Sequence, residues 1–323
     1  MKILINEEKP IPLLGHIAFG FIDRGTNLIQ TRPISGCILN CIYCSVDEGP
    51  FSRTRVNRFE VDLNYFIKWA EEIAAYKKED IQWHIDCAGE AMLYPDIVKL
   101  TDELRKIKGT SVISMETRGT LLTKEKIENM DVDRINISID SMEGERAKMM
   151  AGIPGYDVEK VKDVCRNIID AGIKLLIAPV WVPGINDLEI PKIIEFGKSL
   201  GAEFGIQKYD IHKFGRKVKG VKPVTFWKFY KNLEEIEKKY KINLKISPKD
   251  FGIHRTNRIP IAFDRFEIAK RAEVVSEGWI RNEMICSLRN RAIAVYDINN
   301  KIGDKINVKI LRNNDNVYVG RRV

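Results

Sequence analysis

Asn27-Leu-Ile-Gln-Thr-Arg-Pro-Ile-Ser-Gly-Cys37-Ile-Leu-Asn-Cys41-Ile-Tyr-Cys44 is the stretch on which the reading of this chain turns. Its first five residues have the composition of a short strand. Three cysteines then fall within eight residues, directly after that strand. A loop in this place lies at the C-terminal edge of a sheet, where α/β enzymes build their active sites. Three thiolates so close together can wrap a loop around an iron–sulfur cluster, leaving one iron of a four-iron cluster without a protein ligand. Structural zinc is the alternative, and it would want a fourth Cys or His to close its tetrahedron. No neighbouring CxxC or HxxxH supplies one, and His16, His84, His212 and His254 are scattered.

Working outward, strand-like runs recur at Asn27–Thr31, Ile81–Cys87, Ser111–Glu116, Arg134–Ile139, Ile173–Val180 and Phe204–Lys208. Between them the apolar residues take helical spacing. Asn64–Tyr76 places Phe66, Ile67, Ala70, Ile73 and Ala74 on one stripe, and Ile97–Ile107, Tyr156–Ala171, Leu188–Leu200 and Phe226–Tyr240 read likewise. Strands alternating with helices predict a parallel α/β domain over residues 1–247, either an open barrel or a doubly wound sheet, and a partial (β/α)6 TIM-like barrel is the expected form of it. Segment 248–272 is irregular and Arg-rich and is read as a linker. Beyond it, β-like runs at Ala272–Val275, Met284–Leu288, Ala292–Tyr296, Lys305–Leu311 and Asn316–Gly320 are separated by turn signals. Five short strands in residues 273–323 predict a small all-β barrel of the OB kind.

Composition narrows the function classes. Hydrophobic residues make up 44 % and charged ones 30 %, as in a globular protein rather than a disordered one. The longest apolar runs are too short to span a membrane, and Glu7, Glu8 and Lys9 interrupt any signal-peptide pattern, so a cytoplasmic location without membrane attachment is expected. Cys87, Cys165 and Cys286 stand alone, which fits ligation at the three-cysteine loop better than a disulfide framework. The net charge of +8 is uneven: residues 248–323 hold 15 Lys and Arg against 9 Asp and Glu. Within 207–223, Lys208, Lys213, Arg216, Lys217, Lys219 and Lys222 face one acid, Asp210. Such clustering fits a polyanionic partner, or else a solvated Lys-rich face.

CxxxCxxC with an aromatic residue before its last Cys, on the first βα loop, resembles the radical S-adenosylmethionine (SAM) superfamily. Other positions agree. Cys87-Ala88-Gly89-Glu90 is similar to that family's Gly-Gly-Glu motif, with Ala88 for the first Gly, and the resemblance implies that it receives the SAM amino group. Ser138 and Asp140 match the fourth-strand region that meets the ribose and carboxylate of SAM, and Tyr43 matches the position beside its adenine. Glu116 and Thr117 occupy the end of the third strand, with Arg118 where the family reads Asn. The resemblance thus implies one 4Fe–4S cluster on Cys37, Cys41 and Cys44, SAM as cofactor, and an electron donor such as ferredoxin or flavodoxin. The chemistry implied is reductive cleavage of SAM to a 5′-deoxyadenosyl radical that abstracts hydrogen from carbon. Cys87, beside the SAM motif, is a candidate catalytic thiol or a small buried strand residue.

The C-terminal stretch, with Ile302-Gly-Asp-Lys-Ile-Asn-Val-Lys-Ile310, resembles the TRAM domain, which accompanies enzymes that modify transfer RNA. RNA, and transfer RNA first, is therefore the expected partner. Candidate contacts are Lys213, Arg216, Lys217, Lys219, Arg289, Arg291, Tyr318 and Arg321, although any aromatic there can instead fill the barrel core. The overall plan also resembles an archaeal group of iron–sulfur oxidoreductases. Two other readings stay open: radical chemistry on a small metabolite or peptide, with the barrel as a structural module, and a non-catalytic iron–sulfur protein that binds RNA.

Overall fold

A computed structural model of the chain describes residues 1–78 and 80–323. The chain divides into two compact units, one of Met1–Gly36, Arg53–Ile113 and Ile253–Val323, the other of Cys37–Ser52 and Ser114–Gly252.

In the first unit, β1 (Gly20–Asp23) runs antiparallel to β2 (Leu28–Arg32), and β3 (Ile81–Ile85) runs parallel to β2. β1 was not expected from the sequence. Helix α1 (Leu63–Lys77) is capped by Asp62, whose carboxylate accepts the Tyr65 amide at 3.1 Å. It buries Phe66, Trp69, Ala70, Ile73 and Ala74, close to the stripe read from the sequence. Its last residue, Lys77, is buried as well. The ammonium donates to Asp23 Oδ1, Thr26 O, Thr256 Oγ1 and Asn257 O at 2.7–3.0 Å, so its charge is matched and its protons are used. Helix α2 (Ile97–Lys106) follows, and β4 (Thr110–Thr117) carries the chain into the second unit.

There β4 lies beside β5 (Arg134–Ile137), β5 beside β6 (Lys174–Ile177), and β6 beside β7 (Glu203–Phe204), every pair parallel. Between and after these strands come α3 (Lys124–Asn129), α4 (Gly144–Ala151), α5 (Val158–Asp170), α6 (Glu189–Leu200) and α7 (Phe226–Tyr240). The α/β alternation is as expected. The two long runs at 173–180 and 204–208 each break into two short strands, Val180–Trp181 and Gln207–Lys208 pairing with one another.

The C-terminal part of the first unit is a closed five-stranded barrel. Its strands are β8 (Ile268–Glu277), β9 (Glu283–Leu288), β10 (Arg291–Tyr296), β11 (Lys305–Arg312) and β12 (Val319–Arg322), in the order β8-β9-β10-β12-β11. Closure leaves no unpaired edge. The barrel is bonded to the N-terminal segment of its own unit: the Ala292 amide donates to Leu14 O and the Tyr318 amide to Gly15 O, both at 2.8 Å. Gly15 has φ +125°, and a Cβ there would lie 2.0 Å from the Ala292 carbonyl oxygen, so only glycine fits. Tyr318, a candidate base contact, is a core residue instead. It is 0 % exposed, its hydroxyl donates to Asn316 and accepts the Ala262 amide, and its ring meets Phe263 edge-on. Among the described residues no helix is long and apolar enough to cross a membrane.

Candidate active site on the cysteine loop

The cysteine loop belongs to the second unit and is held from two sides. The amides of Asn40 and Ile42 donate to Ala151 O at 2.9 Å and Met150 O at 3.1 Å, at the end of α4. Gly152 ends that helix in the left-handed region (φ +66°), and a Cβ on it would stand 2.1 Å from the Asn40 carbonyl oxygen. On the other side Arg216 works as a clamp. Its amide donates to Cys44 O, Nη1 to Cys41 O, Nη2 to Glu48 O, and Nε pairs with Asp47 Oδ1 at 2.9 Å. Arg216 was a candidate RNA contact, and the structure corrects this: its guanidinium is committed to the loop.

Cys37, Cys41 and Cys44 are thiols, all partly exposed. Cys37 Sγ accepts the Leu39 amide at 3.3 Å, and the Cys44 amide closes a turn on Cys41 O at 3.1 Å. Burial pushes the Cys41 thiol up, partly countered by Arg118. Among the described residues no three His, Cys, Asp or Glu side chains are gathered as a metal site.

Behind the loop lies a buried ionic network. The Tyr43 hydroxyl donates to Asp140 Oδ2, and Arg118 Nη1 donates to the same oxygen and to Tyr43. Asp140 Oδ1 accepts the Val180 amide at 2.9 Å. Burial alone would lower the Arg118 pKa, but the Asp140 carboxylate and Tyr43 more than offset it and hold it well above its usual value. Burial likewise pushes Tyr43 well up. The Arg118 guanidinium also lies 5.5 Å from the ring of Tyr156, whose hydroxyl is pushed up to about 12 by burial. Asp140, expected to meet SAM, is thus occupied in tying the residue between two cysteines to the ends of β4 and β5. Arg118 was read only as a departure from the family pattern. The signal that could have found it is elementary: an arginine at the buried end of a strand needs a carboxylate.

The other expected residues separate. Ser138 donates to Ala178 O at 3.2 Å, and Glu116 accepts from Gln207 Nε2 at 3.3 Å, both within the second unit. In the first unit, Ser35–Gly36 pairs parallel with Ala88–Gly89. Gly89 has φ +138°, and a Cβ on it would lie 1.9 Å from the Gly36 oxygen, so the strands touch backbone to backbone. Glu90 is fully buried, its amide bonded to Gly36 O and its carboxylate accepting the Met92 amide. Cys87 is half-buried, its thiol raised by burial. Lys213, Lys217, Lys219, Arg289 and Arg321 are exposed, Arg289 being paired with Glu267. Arg291 is part-buried and bonded to Pro260 O.

Residues 31–197 match the model of the radical SAM superfamily. An uncharacterized protein of Methanocaldococcus jannaschii is 39 % identical over 99 % of this chain and 80 % of its own length. A GTP 3′,8-cyclase of Clostridium botulinum is 29 % identical over 54 % of each chain, so the likeness spans about half of that enzyme. Among solved structures, the FeFe-hydrogenase maturase HydG from Carboxydothermus hydrogenoformans superposes with a TM-score of 0.53 at 14 % identity, over 70 % of this chain and 55 % of its own. That last likeness supports the TIM-like α/β fold alone. By the family match over residues 31–197, the chain belongs to the radical SAM superfamily, whose members bind a 4Fe–4S cluster and SAM.

Proposed function

We propose that Cys37, Cys41 and Cys44 hold the 4Fe–4S cluster, that the chain cleaves SAM reductively, and that its substrate is RNA, transfer RNA first. The observation that carries the chemistry is the cysteine loop itself. Its three cysteines are partly exposed residues, while its backbone is pinned by α4 and Arg216. Thiolate donors of this number suit a cluster with one open iron. When bound, the cluster supplies the electron, received from a ferredoxin- or flavodoxin-like donor, that cleaves SAM to methionine and a 5′-deoxyadenosyl radical.

The chain's own residues bind and orient. Gly89, packed backbone to backbone against Gly36, and Glu90, whose carboxylate caps the turn after it, are the residues we read as receiving the SAM amino group. Tyr43, Asp140 and Arg118 hold the loop in place from behind. The RNA reading rests on charge, with +6 in residues 248–323 and a basic stretch at 207–223. It rests also on the closed five-stranded barrel, which we read as TRAM-like. A free nucleotide is the second reading, favoured by the likeness to GTP 3′,8-cyclases. Nucleoside mass spectrometry of transfer RNA from cells with and without the gene tests the choice. Loss of one modified nucleoside on deletion is expected. An unchanged nucleoside profile, with SAM cleavage stimulated by a free nucleotide, overturns the RNA reading.

A further inference from the structure

Helix α7 follows the basic stretch and has two unlike faces. Phe229 and Leu233 are buried, Phe229 meeting Trp181 at 6.2 Å between ring centroids. That fixes the rotation of the helix, and it turns Phe226, Trp227 and Tyr230 outward, 61 %, 73 % and 46 % exposed. Three large aromatics in five residues of a helix are costly to leave in water unless they are used. They are also ordered. Phe226 stacks on Tyr230 (6.3 Å, 25°), with the Lys208 ammonium 4.7 Å from the Phe226 ring, and Lys231 lies 5.4 Å from the Trp227 ring.

The charge along the segment leading to these rings is almost all positive, the acids Glu234 and Glu235 coming only after it. From 209 to 233 the only acid is Asp210, and it is paired with Lys208. Lys213, Lys217, Lys219, Lys222, Lys228 and Lys231 are all exposed. The stretch also starts at the cysteine loop: the Arg216 amide is bonded to Cys44 O, and Gly215 packs so close to Ser45 that a Cβ would lie 2.7 Å from its carbonyl oxygen. Lys213, Lys217 and Lys219 therefore flank the residues that touch the loop.

We propose that residues 213–231 form a docking surface for single-stranded RNA, with bases stacked on Phe226, Trp227 and Tyr230 and phosphates along the lysines. Exposed aromatics interleaved with cations are how sequence-tolerant single-strand binders work, because every base has a stacking face and every phosphate a charge. This deepens the RNA reading above and rests on it. It moves the principal contact from the barrel to the unit that carries the cysteines.

The test uses the full chain and a fluorescein-labelled oligouridylate of about 12 nucleotides, titrated across a salt series. Trp227→Ala and Tyr230→Ala are each expected to weaken binding by about fivefold or more, with little change in salt slope. Lys217→Gln with Lys219→Gln is expected to lower the log–log salt slope by about 1.4 for a single strand. Inorganic polyphosphate, which has charge but no bases, is expected to bind wild type and Trp227→Ala alike. Circular dichroism melts confirm that the variants fold. If wild type binds the oligonucleotide and the Trp227→Ala, Tyr230→Ala double variant binds it equally, the docking surface is overturned and the RNA reading stands. If wild type binds neither this RNA nor transfer RNA at low salt, both fall. An RNA-independent self-association that Trp227→Ala abolishes overturns the proposal in favour of a protein contact.

Discussion

Asp140 and Arg118 show how much one buried residue decides. Each is nearly out of solvent and each is the other's counter-charge, with Tyr43 completing the bonds. Removing one member of such a pair leaves an uncompensated charge, which costs far more than the pair itself contributes. Asp140→Ala is therefore expected to lower stability by about 3–5 kcal/mol, and Tyr43→Phe by about 1.5–3 kcal/mol, in urea unfolding of the apo-protein. A loss below about 1 kcal/mol for Asp140→Ala contradicts the network. At this scale the sequence was only partly legible. The cysteines announce themselves by spacing, because ligand chemistry demands a short loop. Arg118, Arg216 and Tyr318 do not, because lysine, arginine and tyrosine look alike on paper whether they meet solvent or a buried partner. Arg216 and Tyr318 sit in basic or β-rich stretches, and only packing shows that one clamps a loop and the other fills a barrel.

At the scale of elements, α6 offers a pH-dependent fastening. Glu189, in its first turn, accepts from the Ser141 hydroxyl and the Met142 amide at 2.8 Å, from the Glu143 amide at 3.2 Å, and from Lys192 at 2.7 Å. Burial alone would raise its pKa, but Lys192, Ser141 and the Met142 amide together pull it down from 4.5 to about 2. The folded carboxyl thus holds its proton more weakly than the unfolded one. The stability it contributes is complete above about pH 4.5 and is lost as pH falls towards 2, a window on the order of 3 kcal/mol. Glu189→Gln should weaken the protein at pH 6 and flatten the fall in unfolding free energy between pH 5 and pH 3. An unchanged fall contradicts the assignment. The long helices were the most legible elements, since α7 spans the residues its apolar spacing marks and α5 and α6 differ by a residue or two at their ends, whereas the short α3 and α4 were not read from the sequence. Strand β1 was missed because Gly20–Asp23 is too short to show a period of two.

For the whole molecule, the barrel was legible as five strands, but its bonding within the first unit was not. Gly15 and Ala292 are far apart in sequence, and nothing local in Leu14-Gly15-His16 signals a partner in β10. Gly15→Ala would drive a methyl group into the Ala292 carbonyl and force a conformation that alanine avoids. A loss of more than about 2 kcal/mol is expected in thermal or urea unfolding, and a melt like that of wild type contradicts the contact. The central claim is the proposal that the cysteine loop serves SAM cleavage at a cluster on Cys37, Cys41 and Cys44. The most direct measurement is 5′-deoxyadenosine released from SAM by anaerobically reconstituted, dithionite-reduced protein, with bound iron counted on the same samples. Wild type, Cys165→Ala and Cys286→Ala should hold about four irons per chain and release 5′-deoxyadenosine, while Cys37→Ala, Cys41→Ala and Cys44→Ala should do neither. Release that persists in the Cys41→Ala protein, or wild type that takes up no iron and leaves SAM intact, would contradict the account.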